Sequence, residues 1–287
     1  MTLLKIEDLQ IIENIADIKL EKSNFRYAFY LLEKEKRIAL SNFYMFCSYL
    51  DNIVDSVGID LSEKQSRING WRNLIIEMYK GNNRKLVSLW EVFNKYSVPL
   101  ELVLDLVDGI GKDLSCSRYN TFEDLLSYCY GVASIVGLIC MYIFTNNKLN
   151  SDLEQYAINL GYALQLTNII RDIGEDFGRN YVYIPNSLLV RFNYSEEDIK
   201  NHIYNDNFYN LMTYLYERAI YYYLEADYYI KDIRSNIVNS DIIKVSEAIK
   251  NIYFKLLQKI KRNNFHIYDK KIRISNIDKI ICILFTK

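Results

Sequence analysis

The chain reads as all-α. Apolar residues recur at three- and four-residue intervals along almost its whole length, only two prolines (Pro99 and Pro185) and ten glycines punctuate its 287 residues, and hairpin-type turn signals are scarce. The spacing is that of one buried face per helix, and so few breakers leave long stretches without a strand–turn–strand rhythm. With 50% hydrophobic and 25% charged residues, the chain can bury a large core. One large domain or two smaller ones would both fit.

In order, the pattern predicts helices over 8–20, 25–56 with a break, 63–79, 84–96, 99–113, 121–146, 151–174, 207–233 and 240–263, then a shorter one near the C-terminus. Ser62 with Gln65, and Thr121 with Asp124, resemble helix-start caps, because a side-chain oxygen there satisfies an orphan amide three residues on. Gly81 and Gly174 read as stops. The fourteen-residue apolar run Gly131–Phe144 is short for a membrane span of about 20 residues and suits a buried core helix. Gly174 to Pro185 is the clearest non-helical stretch, and a loop there could cover a site.

Composition excludes several functions. A net charge of −1 without a sustained basic stripe lacks the footprint of a nucleic-acid binder. Five cysteines, Cys47, Cys116, Cys129, Cys140 and Cys282, show no metal spacing and read as buried reduced thiols. His202 and His266 stand in no ligand or triad context and are expected in surface or capping roles. The tyrosine-heavy stretch Tyr221–Tyr229 is expected to be helix surface and packing. No glycine-rich fingerprint follows a strand, so no nicotinamide is expected. Lys5, Glu7 and Asp8 interrupt any signal-peptide core, and Ile280–Phe285 is too short to span a bilayer. A cytoplasmic protein, at most peripheral to the inner face of a membrane for product release, is therefore expected.

Two Asp-x-x-x-Asp motifs stand out: Asp51-Asn52-Ile53-Val54-Asp55 and Asp172-Ile173-Gly174-Glu175-Asp176. On a helix, residues four apart share a face, so each pair stacks like charges among apolar neighbours. Repulsion costs an isolated helix about 0.2–0.5 kcal/mol per pair, and desolvation raises that. Relief of this repulsion predicts that Asp172→Ala or Asp55→Ala leaves the fold intact or slightly stabilised. Oxygen-only ligands without His or Cys suit magnesium shared with a substrate's phosphates. Gln165 and Asn168 extend the second motif into one polar ridge, at spacings of three, four and four, ending in Asp172 and Asp176.

These residues carry a resemblance. Phe25-Arg26-Tyr27-Ala28-Phe29, Phe43-Tyr44 running into the first motif, Tyr128-Cys129-Tyr130-Gly131-Val132-Ala133 with Val136-Gly137, the ridge ending in the second motif, and Tyr181-Val182-Tyr183-Ile184-Pro185 follow in the order of the squalene/phytoene synthase family, most like its bacterial dehydrosqualene synthases. Ile252-Tyr253 fits a later helix of that family. The resemblance spans about residues 20 to 260. It implies a single all-α isoprenoid-synthase bundle over 1–287, with a central cavity, that joins two prenyl diphosphates head to head using two or three magnesium ions.

By that resemblance, Asp51, Asp55, Asn168, Asp172 and Asp176 hold metal, and Tyr130 joins the four aspartates in catalysis. Phe25, Phe29, Tyr44 and Tyr183 supply aromatic faces, and Ser48, Gln165, Arg171 and Tyr253 contact substrate. Ala133, Val136, Gly137 and Leu164 line a hydrocarbon tunnel, the small residues leaving room for the chain. Farnesyl diphosphate giving dehydrosqualene is the expected reaction. Phytoene synthesis from geranylgeranyl diphosphate, and a catalytically degenerate member acting as an assembly factor, are the alternatives.

The chain departs from the family in four places. Ser48 stands where Arg is usual, Lys22 and Asn24 replace two serines, Asn52 replaces an Asp, and Tyr181 replaces an Arg. Lys22, Arg26, Arg171 and Arg179 remain as diphosphate partners. Because Lys and Arg do not match a lost bidentate Arg in geometry, the departures point to weaker diphosphate binding or to a changed substrate.

Overall fold

The apolar period becomes helix wherever the described residues carry it. These are residues 28–29, 31–82, 86–236 and 240–284 of a computed structural model. In chain order they form α1 (Lys34–Asp55), α2 (Leu61–Tyr79), α3 (Val87–Lys95), α4 (Leu100–Gly111), α5 (Phe122–Cys129), α6 (Ile135–Thr145), α7 (Ser151–Gly178), α8 (Asn186–Arg191), α9 (Glu196–Lys200), α10 (Asp206–Asn236), α11 (Ser240–Arg262) and α12 (Asn276–Leu284). A 3₁₀ turn, Lys112–Leu114, extends α4, and a π turn, Tyr130–Ser134, joins α5 to α6. The only β pairing among the described residues is an isolated bridge between Arg118 and Val182. The expected helix 8–20 and Phe25, Lys22, Asn24 and Arg26 lie outside the described residues.

Local chemistry explains where the boundaries moved. The α2 cap is Asp60, not Ser62: its carboxylate accepts the Glu63 amide at 2.9 Å, and Ser62 donates its hydroxyl to the same oxygen at 2.6 Å. Thr121 and Asp124 form the reciprocal capping box that the sequence predicts. Gly81, at φ +77°, follows the end of α2 as expected. Gly174 does not stop α7, which runs on to Gly178. Its missing side chain instead makes room for Tyr268, since a Cβ there would lie 2.8 Å from that ring. The expected loop over 174–185 therefore shrinks to the residues after Gly178.

The centre of the bundle is α7, which packs along α10 and also meets α6, α11 and the π turn, while α1 packs on α2, α3, α4 and α6. Glycines set the closest approaches. A Cβ on Gly109 would come within 2.7 Å of the Gly131 backbone, and one on Gly161 within 2.5 Å of Ser134. The π turn is thus clamped between α4 and α7, and Ser134 Oγ donates to the Ile158 carbonyl at 2.8 Å. The continuous helix Phe122–Thr145 is long and apolar enough to cross a membrane by composition. Here it lies inside the bundle, and a helix apolar all round is what that position requires.

Three helices also carry rows of half-buried residues at helical spacing: Tyr44, Cys47 and Ser48 on α1; Ala133, Val136, Gly137 and Cys140 on the π turn and α6; Leu164, Gln165 and Asn168 on α7. The first two rows face each other. Burial raises the Cys47 thiol well above its ordinary pKa, and Asp51 and then Cys140 add to the shift.

Candidate functional site

The site begins with the ridge of α7. Gln165, Asn168, Asp172 and Asp176 all fall on this helix and are all half-buried, as their spacing predicts. The Asn168 amide donates to Gln165 Oε1 at 3.4 Å, and Asn168 Oδ1 is buried with no hydrogen-bond partner.

The two aspartates of the ridge differ. Asp172 is held by two cations, its neighbour Arg171 and, across 99 positions of sequence, Lys271, whose Nζ is 3.1 Å from Asp172 Oδ1. Burial alone would push its pKa up, but these partners hold it below the usual carboxylate range. Lys271 also reaches Glu175 at 2.6 Å. Asp176 has no such clamp. Burial, with Asp172 and Glu175 adding, pushes it up to about 7, against a weaker pull from Arg179 and Lys271. Expected repulsion is therefore real at Asp176, whereas at Asp172 resident cations replace it. The prediction that removing Asp172 spares or stabilises the fold is accordingly corrected, because Arg171 would be left half-buried without its partner.

Asp51 and Asp55 close α1 as exposed residues. Arg179, just beyond α7, spans the two motifs, with Nη1 3.7 Å from Asp55 Oδ2 and Nη2 3.1 Å from Glu175 Oε1. Such exposed pairs add little stability. Their value is positional, since they show that the ends of α1 and α7 adjoin.

Beside them stands a group that the sequence reading missed. Asp113, in the 3₁₀ turn after α4, accepts the Tyr128 hydroxyl at 3.0 Å and the Tyr183 hydroxyl at 3.4 Å, while Tyr181 donates to its carbonyl at 2.9 Å. The rings stack, Tyr128 on Tyr183 at 4.9 Å and Tyr181 on Tyr183 at 5.9 Å. Burial raises Asp113 to about 6 against these hydrogen bonds, and Asp55 adds its charge. Asp176, Tyr181 and Tyr183 share the lining of one small recess. Arg118 fixes the segment that carries the tyrosines. It grips Glu196 through Nε at 2.6 Å and Nη2 at 2.9 Å, and donates to the Asn180 carbonyl at 2.7 Å.

The remaining expectations divide. Tyr44 and Ser48 lie on the α1 row leading to Asp51, Ala133 and Val136 on the row that faces it, and Leu164 on the row of α7. Tyr253, buried on α11, is near enough to Arg171 to act on its charge. Phe29 is buried in the core. Gly137 also serves the contact of α6 with α7, since a Cβ there would lie 3.0 Å from the Ala157 carbonyl. Tyr130 is not brought to the aspartates. The charges that act on its phenol, after burial, are Asp105 and Glu154. Tyr128, two residues earlier, occupies the place expected of it. The histidines behave as expected, His202 stacking on Tyr268 at 4.6 Å and His266 lying 3.4 Å from Asp269. All five cysteines are free thiols.

The squalene/phytoene synthase family model matches residues 18–278. The chain belongs to that family. It is 31% identical to the 15-cis-phytoene synthase of Synechococcus elongatus over 254 residues, 84% of this chain and 80% of that one. With the 15-cis-phytoene synthase of a Synechocystis species it shares 29% over 263 residues, 88% and 76% of the two chains. Among solved structures, a dehydrosqualene synthase superposes with a TM-score of 0.81 over 97% of this chain and 95% of that one at 24% identity. Squalene synthase HpnC from Alicyclobacillus acidocaldarius gives 0.79 over 91% and 97% at 19%. The all-α bundle is thus the fold of the isoprenoid synthases of this family. Family membership makes the chain a synthase of the squalene/phytoene type, at work in isoprenoid and carotenoid biosynthesis.

Divalent metal with a diphosphate substrate is general in this family. The residues present fit such an ion. Carboxylates and amide oxygens are the donors it prefers, and the orphaned Asn168 Oδ1, on the same ridge as Asp172, is an oxygen that needs a partner. Among the described residues no ready-made cluster of three acidic or His/Cys ligands exists.

Proposed function

We propose that the chain condenses two farnesyl diphosphates head to head, through the cyclopropyl intermediate presqualene diphosphate, to dehydrosqualene. One observation carries the reading: an oxygen-rich ridge on α7 and the aspartates of α1 adjoin at one end of facing rows that are otherwise mostly apolar. Asp51, Asp55, Asn168, Asp172 and Asp176 would hold two or three magnesium ions. Magnesium, when bound, draws negative charge off the leaving diphosphate. Arg171, Arg179 and Lys271, now paired with carboxylates, donate to phosphate oxygens instead. The first step breaks the allylic carbon–oxygen bond of one substrate, joins its carbon to the other's double bond as a cyclopropane and loses one proton. The second breaks the cyclopropylcarbinyl carbon–oxygen bond, opens the ring to the linear chain and loses a second proton, diphosphate leaving each time with the bonding electrons. The allylic cation needs a dry enclosure, and Ala133, Val136 and Leu164 wall it without offering water a polar foothold. Tyr44 and Tyr183 place ring faces nearby, worth about 0.5–2 kcal/mol each toward a cation. Tyr128 and Asp113 hold the Tyr183 ring in position.

A second reading, geranylgeranyl diphosphate to phytoene, is favoured by the names of the curated relatives, which are phytoene synthases. Incubation of the purified protein with each diphosphate and magnesium, followed by mass spectrometry, separates the two. A thirty-carbon dehydrosqualene formed without reduced nicotinamide supports the first and a forty-carbon product the second. A folded protein that consumes neither sinks both, and product that becomes squalene only on adding reduced nicotinamide overturns the expectation that no nicotinamide takes part.

A further inference from the structure

The helix α12 carries an apolar stripe that none of the described residues buries. Ile277, Ile280, Ile281 and Leu284 recur at spacings of three, one and three, and they are 72%, 45%, 40% and 73% exposed. No residue of α12 is buried. The helix is nonetheless well anchored. Ser275 caps it, its hydroxyl accepting the Asp278 amide at 3.1 Å, and Lys255 of α11 ties Asp278 at 2.7 Å. Cys282 and Ile283, on the other side, pack against the core. A docked helix with four large aliphatic side chains turned outward along one stripe is the amphipathic arrangement that lies in an interface rather than in a protein core.

Charge says which interface. Residues 255–284 hold eight Lys and Arg against two Asp, although the whole chain has a net charge of −1. With Lys255 tied to Asp278 and Lys271 turned to Asp172 and Glu175, six cations remain on this stretch, Lys259, Lys261, Arg262, Lys270, Arg273 and Lys279. The acidic remainder of the molecule and this basic corner make it strongly one-sided. Lys270 and Arg273 are exposed just before α12, and Lys279 lies within it, close enough to Arg273 for the two charges to interact. Basic side chains bordering an aliphatic stripe match an anionic lipid surface, where the stripe enters the acyl boundary and the cations meet headgroup phosphates. A second copy of the chain would have to bring like charge to like charge across the same patch.

We propose that α12 is a membrane-docking helix that seats the protein on anionic lipid through Ile277, Ile280, Ile281 and Leu284. The inference rests on this surface and not on the catalytic reading, although a product that is pure hydrocarbon would leave the protein most readily into such a surface. The internal apolar helix Phe122–Thr145 takes no part, because it lies between α4 and α7.

The test is flotation of the full chain with vesicles of equal parts phosphatidylglycerol and phosphatidylcholine at low salt, compared with phosphatidylcholine alone. The wild type is expected to float with the anionic vesicles and at least fivefold less with the neutral ones. Ile277→Asp/Ile281→Asp, and separately Lys270→Glu/Arg273→Glu, should each cut the bound fraction at least fivefold, while circular dichroism and consumption of prenyl diphosphate in detergent stay unchanged. Light scattering on the same samples tests the second-copy alternative. No flotation, flotation indifferent to both double variants, or a wild-type dimer that Ile277→Asp/Ile281→Asp dissolves without any vesicle binding would each overturn the proposal. Loss of prenyl diphosphate consumption in every form, with flotation intact, would sink the catalytic reading and leave this one standing.

Discussion

The two Asp-x-x-x-Asp motifs look alike in sequence and differ in almost every physical respect in the fold. Asp51 and Asp55 end a helix at the surface, where water screens them and Arg179 approaches Asp55 from across the site. Asp172 and Asp176 are half-buried in the last two turns of α7, with two cations locked onto the first and the pKa of the second pushed up by burial to about 7. The lesson is that motif spacing sets which carboxylates share a face, while burial and partners drawn from distant sequence set their charge. One motif is an open acidic end. The other is a charged network balanced within the protein, which a substrate diphosphate must re-partner.

The sharpest way to break that contrast is to remove one carboxylate from each. Asp55→Ala and Asp172→Ala are both expected to lower kcat/KM by a thousandfold or more. Only Asp172→Ala should also lower stability, by about 1.5–3 kcal/mol, because it strips a half-buried guanidinium of a charged hydrogen-bond partner. Urea melts of the two variants without ligand decide it, and equal losses of stability would erase the distinction between the motifs.

A second comparison sets Tyr128 against Tyr130. Tyr128→Phe loses the hydrogen bond that organises Asp113 and Tyr183, and kcat is expected to fall by about ten- to a hundredfold, the equivalent of about 1.5–3 kcal/mol. Tyr130→Phe should change it by less than threefold. Steady-state kinetics with the reverse ranking would return the catalytic role to Tyr130.

Ser48, on the half-buried row of α1, lies three residues before the exposed Asp51. An Arg there would add a planar fork to the open motif. Ser48→Arg is therefore expected to lower KM for the diphosphate by about tenfold, and an unchanged KM would mean that Arg179 or Lys271 already fills the role.

The last contrast is in pH. Asp176 is raised in the fold, from the ordinary carboxylate value of 3.8 to about 7, so the folded state binds a proton that the unfolded chain has already lost. Stability without ligand should thus fall as pH rises from about 4 to about 7 and then level off at this residue. Asp176→Asn should flatten the dependence of the melting temperature across that window. A melting curve that keeps the same slope in the variant would place the titration elsewhere, Asp113 being the next group at about 6.

Much of this was legible in advance. The helical period marked nearly every long element, and the spacing of Gln165, Asn168, Asp172 and Asp176 placed the ridge on one face, because both depend only on positions a few residues apart. Three things were not legible. The clamp on Asp172 joins residues 171 and 271 to one carboxylate, and no local pattern predicts so distant a pair. Asp113 is a lone acid in a 3₁₀ turn, without a second carboxylate to flag it. Tyr128 and Tyr130 differ by roughly 200° around a helix, and the π turn that starts at Tyr130 alters the register there. Gly174 misled because a glycine that ends a helix and one that admits a neighbouring ring look the same in sequence.

The central claim is that the two motifs form one site whose carboxylates take metal only as a diphosphate takes their cations. Manganese titrated into the protein and followed by electron paramagnetic resonance, with and without inorganic diphosphate, tests it directly. The account predicts binding at least tenfold tighter when diphosphate is present, and that this gain is lost in both Asp55→Ala and Asp172→Ala. Equal affinity with and without diphosphate, or a gain that survives removal of either aspartate, would contradict it.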